Sequence, residues 1–103
     1  MEVQKYLDNM KELQLLFINF IEAENTDDGD FEMLTYFLNT QKIKRSKGSL
    51  RDILSLILNI ANNHHQETNF LEKIIQFLVF IQPDIKKHFT NFEVFNIFKS
   101  NKL

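Results

Sequence analysis

Apolar residues recur every three or four positions along most of this chain, and this spacing constrains the fold more than any other feature. In the first segment it holds over about residues 2–24, which predicts a long amphipathic helix. Its apolar stripe consists of Val3, Leu7, Met10, Leu13, Phe17, Phe20 and Ile21. Two glycines and one proline in 103 residues leave little of the turn chemistry that an all-β fold needs. The sequence therefore predicts an all-α protein.

Two polar stretches separate the first three helices. "ENTDDGD" interrupts the helical pattern, and Asp30 at its end can cap a second helix over about 30–43. Ser49 and Asp52 have the spacing of a capping box, so they predict the start of a third helix over about 50–63. Apolar residues cover more than half of this third helix, which predicts that it is central.

The fourth helical segment, over about 70–82, is also apolar almost all round and is expected to pair with the third. Pro83 has no amide hydrogen to donate, so it is expected to end this helix, with a short helical turn over 84–89. The sequence thus predicts one helical domain, residues 1–103. It would hold about five helices in antiparallel hairpins, arranged as a compact bundle or a short solenoid-like cap.

The last segment contains a regularly spaced set of phenylalanines. Thr90 and Glu93 form another capping-box pair, which predicts a helix over 91–100. Little sequence follows to cover the aromatic side of this helix, and an exposed apolar face commonly marks a docking surface. The candidate protein-interaction residues are Phe92, Phe95 and Phe98.

The polar stretch "NNHHQETNF", residues 62–70, lies between the two most apolar helices and has the composition of a helix-to-helix corner. Asn62 or Asn63 can adopt the left-handed conformation that ends a helix, since a short amide tolerates positive φ. Asn69 is expected to provide the start signal of the next helix. A structural corner is therefore the favoured interpretation.

Metal binding and catalysis are the alternative interpretations of His64 and His65 in this stretch. A zinc site needs three or four converging ligands, and adjacent histidines point about 100° apart on a helix. No HxxxH or ExxH spacing accompanies the pair, and no serine lies in a glycine-rich elbow. The sequence therefore predicts no catalytic residue, no metal and no cofactor, and hence no enzyme.

Charges are grouped along the chain. Acidic residues concentrate over 22–32 and basic residues over 42–51. This arrangement complements the dipole of the second helix, which is the simpler interpretation. The alternative is a small binder of nucleic acid or anionic lipid, although the segment lacks interleaved aromatic residues. Its candidate anion contacts are Lys42, Lys44, Arg45, Lys47 and Arg51.

Composition and the lengths of the apolar runs indicate where in the cell the protein is expected. The chain has no cysteine and a formal net charge of -2, which gives no overall attraction to nucleic acid. Its longest apolar run, "FLVFI" at 77–81, is far shorter than the roughly 20 residues of a membrane-spanning helix. The N-terminal segment lacks the pattern of a secretory signal. We therefore expect an intracellular, cytoplasmic protein without a membrane span.

Three motifs carry a family resemblance: "NNHH" at 62–65, "DIK" at 84–86 and "FNIFKSNK" at 95–102. With the sequence around them, over about residues 20–102, the chain resembles the N-terminal helical region of ankyrin-repeat proteins that are expanded in certain parasitic protists. The resemblance implies an all-α module that precedes and packs against an ankyrin array. Such arrays bind proteins through an extended surface.

The chain departs from that family at its end. It stops at Leu103, where the relatives continue into a further apolar helix, and it contains no TPLH-type ankyrin motif. We therefore expect either an excised module or a stand-alone derivative. The predicted function is a non-enzymatic protein-interaction module that flanks or caps an ankyrin-repeat array. The expected partners are another protein, a downstream ankyrin array or a second copy of the chain, with nucleic acid disfavoured.

Overall fold

The computed structural model describes residues 2–23, 29–40, 42–64 and 69–100, and α-helices make up most of them. The five helices are α1 (Glu2–Glu22), α2 (Gly29–Asn39), α3 (Lys47–His64), α4 (Phe70–His88) and α5 (Asn91–Ser100). No β-strand occurs within the described ranges. The predicted all-α fold class is confirmed. None of the helices found there combines the length and apolar character that a membrane crossing requires.

The chain divides into two compact units, one up to Lys44 and one from Arg45 onward. In the first unit α1 packs against α2. The Phe20 and Phe31 rings join these helices, with ring centres 5.4 Å apart. Among the described residues of this unit, the buried apolar side chains are Leu13, Phe17, Phe20, Ile21, Leu34, Phe37, Leu38 and Ile43.

In the second unit α3 packs against both α4 and α5. The Arg45 guanidinium, just before α3, lies 2.7 Å from the carboxylate of Asp84, near the end of α4. This contact shows that α3 and α4 run antiparallel, as their apolar surfaces predicted. Buried apolar residues follow one another along the inner side of α3 over most of its length. They are Leu50, Ile53, Leu54, Ile57, Leu58, Ile60 and Ala61.

The start of α3 differs from the prediction. The helix begins at Lys47, so Ser49 lies inside its first turn and is not the N-cap residue that was predicted. The capping pair is instead Ser46 with Ser49: the Ser46 amide donates to Ser49 Oγ at 2.8 Å, and the Ser49 amide donates to Ser46 Oγ at 3.2 Å. Apolar residues begin only at Leu50, but a first turn needs capped amides rather than apolar side chains.

The end of α2 is also earlier than predicted, because the helix stops at Asn39 and does not reach residue 43. The Thr40 hydroxyl donates to the Phe37 carbonyl at 2.6 Å and satisfies one of the acceptors that the helix end leaves open. Asp30, expected ahead of the helix, lies within its first turn, where a carboxylate favours the helix dipole.

Pro83 does not end the fourth helix, contrary to the prediction. α4 continues through Pro83 to His88, so the separate turn expected over 84–89 is part of α4. Proline removes one helical hydrogen bond but does not prevent a helix whose remaining turns are packed. Buried Ile81 before Pro83 and buried Phe89 after the helix hold the chain on both sides.

In the described part of the corner between α3 and α4, the left-handed conformation occurs at a different residue from the one predicted. Asn62 and Asn63 are helical, and Asn69, immediately before α4, has φ of 60°. Asn69 is therefore the residue whose short side chain tolerates the left-handed conformation. It caps the helix without a side-chain hydrogen bond.

Candidate functional site

The start of α5 is closed by a reciprocal pair of hydrogen bonds. The Thr90 amide donates to Glu93 Oε1 at 3.0 Å, and the Glu93 amide donates to Thr90 Oγ1 at 3.2 Å. This is the capping box that the sequence predicted, and it satisfies two amides that would otherwise lack helical partners. The first turn of α5, which carries Phe92, is thereby fixed.

Glu93 also connects α5 to α3. Its Oε2 lies 2.5 Å from Lys47 Nζ, and the same ammonium lies 5.5 Å from the centre of the Phe89 ring. Two contacts lower the pKa of Glu93 to about 2: the hydrogen bond from the Lys47 ammonium has the larger effect, and the hydrogen bond from the Thr90 amide the next largest. The carboxylate is thus held in its charged form at the junction of the two helices.

α5 presents one side to α3 and leaves the other open. Ile97 is its buried residue, whereas the Phe92 side chain is 71% exposed and the Phe95 side chain 62% exposed. At 100° per residue, Phe92 and Phe95 lie about 140° and 160° from Ile97 around the helix. We call these two outward rings the α5 face.

Phe98 does not share this position. It lies about 100° from Ile97 around the helix, at the flank of the packed side, and it is half-buried. Of the three candidate interaction residues, the structure therefore brings Phe92 and Phe95 together on the outer surface and turns Phe98 partly inward.

The five basic candidates divide between the two units. Lys42 and Lys44 belong to the first unit, where Lys42 Nζ lies 3.9 Å from Glu12 and 5.4 Å from the centre of the Phe37 ring. A cation that already faces a carboxylate and a ring has part of its charge compensated. Lys44 is exposed.

The remaining basic candidates belong to the second unit. Arg45 pairs with Asp84 and lies 5.5 Å from the centre of the Phe80 ring, so it fastens the start of α3 to α4. Arg51 is exposed and lines an open cleft of about 360 Å³ between α3 and α5, together with Asn96 and Ser100. Sequence reasoning missed the carboxylate partners of Lys47 and Arg45, because they lie far away along the chain.

The two histidines are only partly within the described structure. His64 is the last residue of α3 and is half-buried, and His65 lies outside the described residues. His64 thus belongs to the helix end and not to the loop that was predicted to hold it. Across the described ranges, no three His, Cys, Asp or Glu side chains come close enough to hold a metal ion.

The comparisons with known proteins add no relative from which a site could be transferred to this chain. No protein-family model matches the chain, and no curated protein or solved structure matches it.

Proposed function

We propose that the chain is a non-enzymatic protein-interaction module that flanks or caps an ankyrin-repeat array and contacts its partner through the α5 face. The observation that supports this proposal is the pair of outward rings, Phe92 and Phe95, on a helix whose other side is packed against α3. The ankyrin partner is suggested by the resemblance of residues 20–102 to the helical region that precedes such arrays.

The energetic argument rests on the cost of leaving the two rings in water. Burial of one large apolar side chain contributes roughly 1.5 to 3 kcal/mol. Aromatic residues are also enriched in protein interfaces, where they supply large contact areas. A partner that covers both Phe92 and Phe95 would therefore gain a substantial share of its binding free energy from two residues.

The contacts that hold the first turn of α5 in place favour the α5 face as a binding site. The Thr90–Glu93 capping box and the Lys47–Glu93 ion pair hold the first turn before any partner arrives. A surface that is already ordered loses less conformational entropy on binding. The rings are thus displayed on a fixed helix.

The alternative anion-binding function is less well supported by the contacts of the basic residues. Lys42, Arg45 and Lys47 each face a carboxylate, at 3.9, 2.7 and 2.5 Å respectively. A phosphate would have to compete with these carboxylates for the same cations. We therefore favour the α5 face over the basic segment.

The test is a calorimetric titration with an ankyrin-repeat array from one of the proteins that the chain resembles, produced as a separate polypeptide. We expect binding that a double variant, Phe92→Asp with Phe95→Asp, weakens by at least about tenfold. Val3→Asp is the matched control, since it places the same charge at a 73% exposed apolar position of α1. It should bind like the wild type.

Two results would count against the proposal. One is the absence of binding to the array, and the other is binding that the double variant leaves unchanged. Repeating the titration at several salt concentrations distinguishes binding through the α5 face from the alternative anion-binding function. Binding through phosphate contacts weakens steeply as the salt concentration rises. Binding through the α5 face should depend little on salt.

A further inference from the structure

Arg51, on α3, is a cation to which the described part of the second unit offers no carboxylate partner. Its side chain is exposed and forms no ion pair with another described residue. On α3, the positions three and four residues away, where helical ion pairs form, hold no acidic residue. They are Lys47, Gly48, Leu54 and Ser55. Glu93 lines the same cleft, but its two oxygens already accept from the Lys47 ammonium and the Thr90 amide.

The cleft that Arg51 lines borders the α5 face. Asn96 lines the cleft from the α5 side and is exposed. It lies four residues after Phe92, at about 40° from it around the helix, so the two side chains are neighbours on the surface of α5. A segment that covers Phe92 and continues across Asn96 therefore enters the cleft and comes within reach of Arg51.

The surroundings of the α5 face are basic. Lys99 lies about 20° from Phe92 around α5, is exposed and forms no ion pair with another described residue. The acidic residue of α5 is Glu93, whose charge is already compensated. Residues 45–64 and 69–100 of the second unit hold seven Lys and Arg against four Asp and Glu, an excess of three positive charges. Charge complementarity therefore favours an acidic partner.

We propose that the partner of the α5 face carries a carboxylate side chain beside its apolar contacts, and that this carboxylate enters the cleft and pairs with the Arg51 guanidinium. The inference rests on the proposed function and specifies the chemistry of the partner. That partner has an apolar surface for Phe92 and Phe95, with an aspartate or glutamate at its edge. The planar guanidinium presents paired donors that fit the two oxygens of a carboxylate. Asn96 and Ser100 line the same cleft and supply further hydrogen-bond donors.

The cleft makes Arg51 a determinant of specificity. Its volume of about 360 Å³ is large enough for one aspartate or glutamate side chain. A partner that places a lysine or arginine there is repelled, and one that places an apolar residue there leaves Arg51 unpaired in the interface. A single ion pair adds only a shallow dependence on salt, unlike the several phosphate contacts of a nucleic acid.

The experiment is a calorimetric titration of full-chain variants with the ankyrin-repeat array that tests the proposed function. At about 0.15 M salt, where distant charges are screened, Arg51→Gln weakens binding about two- to tenfold. Arg51→Glu weakens it about five- to fiftyfold, because the reversed charge also repels the partner carboxylate. Lys86→Glu is the matched control and binds like the wild type, since it reverses an exposed cation of α4 that does not line the cleft. Circular dichroism verifies that each variant keeps its helical content.

A second set of variants identifies the partner carboxylate. The acidic residues of the array are changed one at a time to the corresponding amides. One of these changes weakens binding of the wild type and leaves binding of Arg51→Gln unchanged, as expected of two residues in contact. An array in which no acidic residue is coupled to Arg51 in this way overturns the proposed ion pair.

The remaining outcomes separate this inference from the proposed function. Binding that Phe92→Asp with Phe95→Asp weakens, but Arg51→Glu leaves unchanged, overturns the role of Arg51 and leaves the proposed function standing. Equal losses in Arg51→Glu and Lys86→Glu also overturn it, because the effect would then come from the overall charge. If the wild type does not bind the array, the proposed function fails and this inference fails with it.

Discussion

Lys47 and Glu93 join the first turns of α3 and α5, with 2.5 Å between the ammonium nitrogen and a carboxylate oxygen. The other carboxylate oxygen of Glu93 accepts the Thr90 amide at 3.0 Å. One side chain therefore caps α5 and also ties it to α3. The ammonium of Lys47 lies over the ring of buried Phe89, which connects the pair to the apolar interior.

This relationship predicts a specific response to acid. The pKa of Glu93 is lowered from 4.5 to about 2, so folding favours the charged form. The stabilisation is complete above about pH 4.5 and is lost as pH falls towards 2, where the folded protein takes up the proton. Glu93→Gln should be less stable than wild type at neutral pH, and its acid-induced loss of stability between these values should be smaller.

Urea unfolding at a series of pH values measures this difference. Glu72→Gln is the matched control, because it removes an exposed carboxylate that forms no ion pair with a described residue. Since Glu72 lies in the first turn of α4, its removal should lower the stability at neutral pH only by the helix-dipole contribution, at most about 1 kcal/mol. Parallel pH profiles for wild type and Glu93→Gln would contradict the assigned role of Glu93.

Shortening a side chain in the interior of the second unit should greatly lower the free energy of unfolding. Leu54 in α3 and Phe77 in α4 are fully buried. Leu54→Ala should lower the free energy of unfolding by roughly 2 to 5 kcal/mol and Phe77→Ala by roughly 3 to 5 kcal/mol, because each leaves a cavity. Leu71→Ala, on the exposed side of α4, should change it by no more than about 0.5 kcal/mol. Urea unfolding measures these changes. If Leu54→Ala and Leu71→Ala lowered the free energy of unfolding equally, burial would not determine how much each side chain contributes to stability.

The sequence predicted the buried helix faces well because their period is a local property. Spacings of three and four residues put Leu54 and Phe77 on faces that the structure buries. The Thr90–Glu93 capping box was also predicted correctly, since both of its members lie within one turn. The exposure of Phe92 and Phe95 follows from the same helical geometry, once the position of Ile97 is known.

Other features depend on contacts between distant segments, which a local pattern does not contain. The Arg45–Asp84 pair joins residues 39 positions apart, and the sequence offered Arg45 only as a candidate anion contact in the alternative interpretation. The half-burial of Phe98 depends on which side of α5 meets α3. Ser46 was missed as the cap of α3 because the apolar pattern begins a turn later than the helix itself.

The histidine pair gives a prediction about stability and metal content. His64 ends α3, where the negative end of the helix favours a partial positive charge. His65 lies outside the described residues, and the prediction for it comes from sequence alone. Replacing both by glutamine should cost at most about 1 kcal/mol in urea unfolding. Stoichiometric zinc in the purified wild type, absent from the double variant, would contradict this structural role.

Pro83 predicts a gain in stability on substitution. It has no amide hydrogen to donate to the Val79 carbonyl, four residues earlier, and a proline ring inside a helix generally crowds that carbonyl. α4 nevertheless continues to His88. Buried Ile81 and the Arg45–Asp84 pair hold the helix on either side of Pro83. Pro83→Ala restores the hydrogen bond, so it should raise the free energy of unfolding by about 1 to 3 kcal/mol in urea melts. Gln82→Ala, at the exposed neighbouring position, should change it by less than about 0.5 kcal/mol. A loss of stability in Pro83→Ala would mean that the packing around α4 requires the proline.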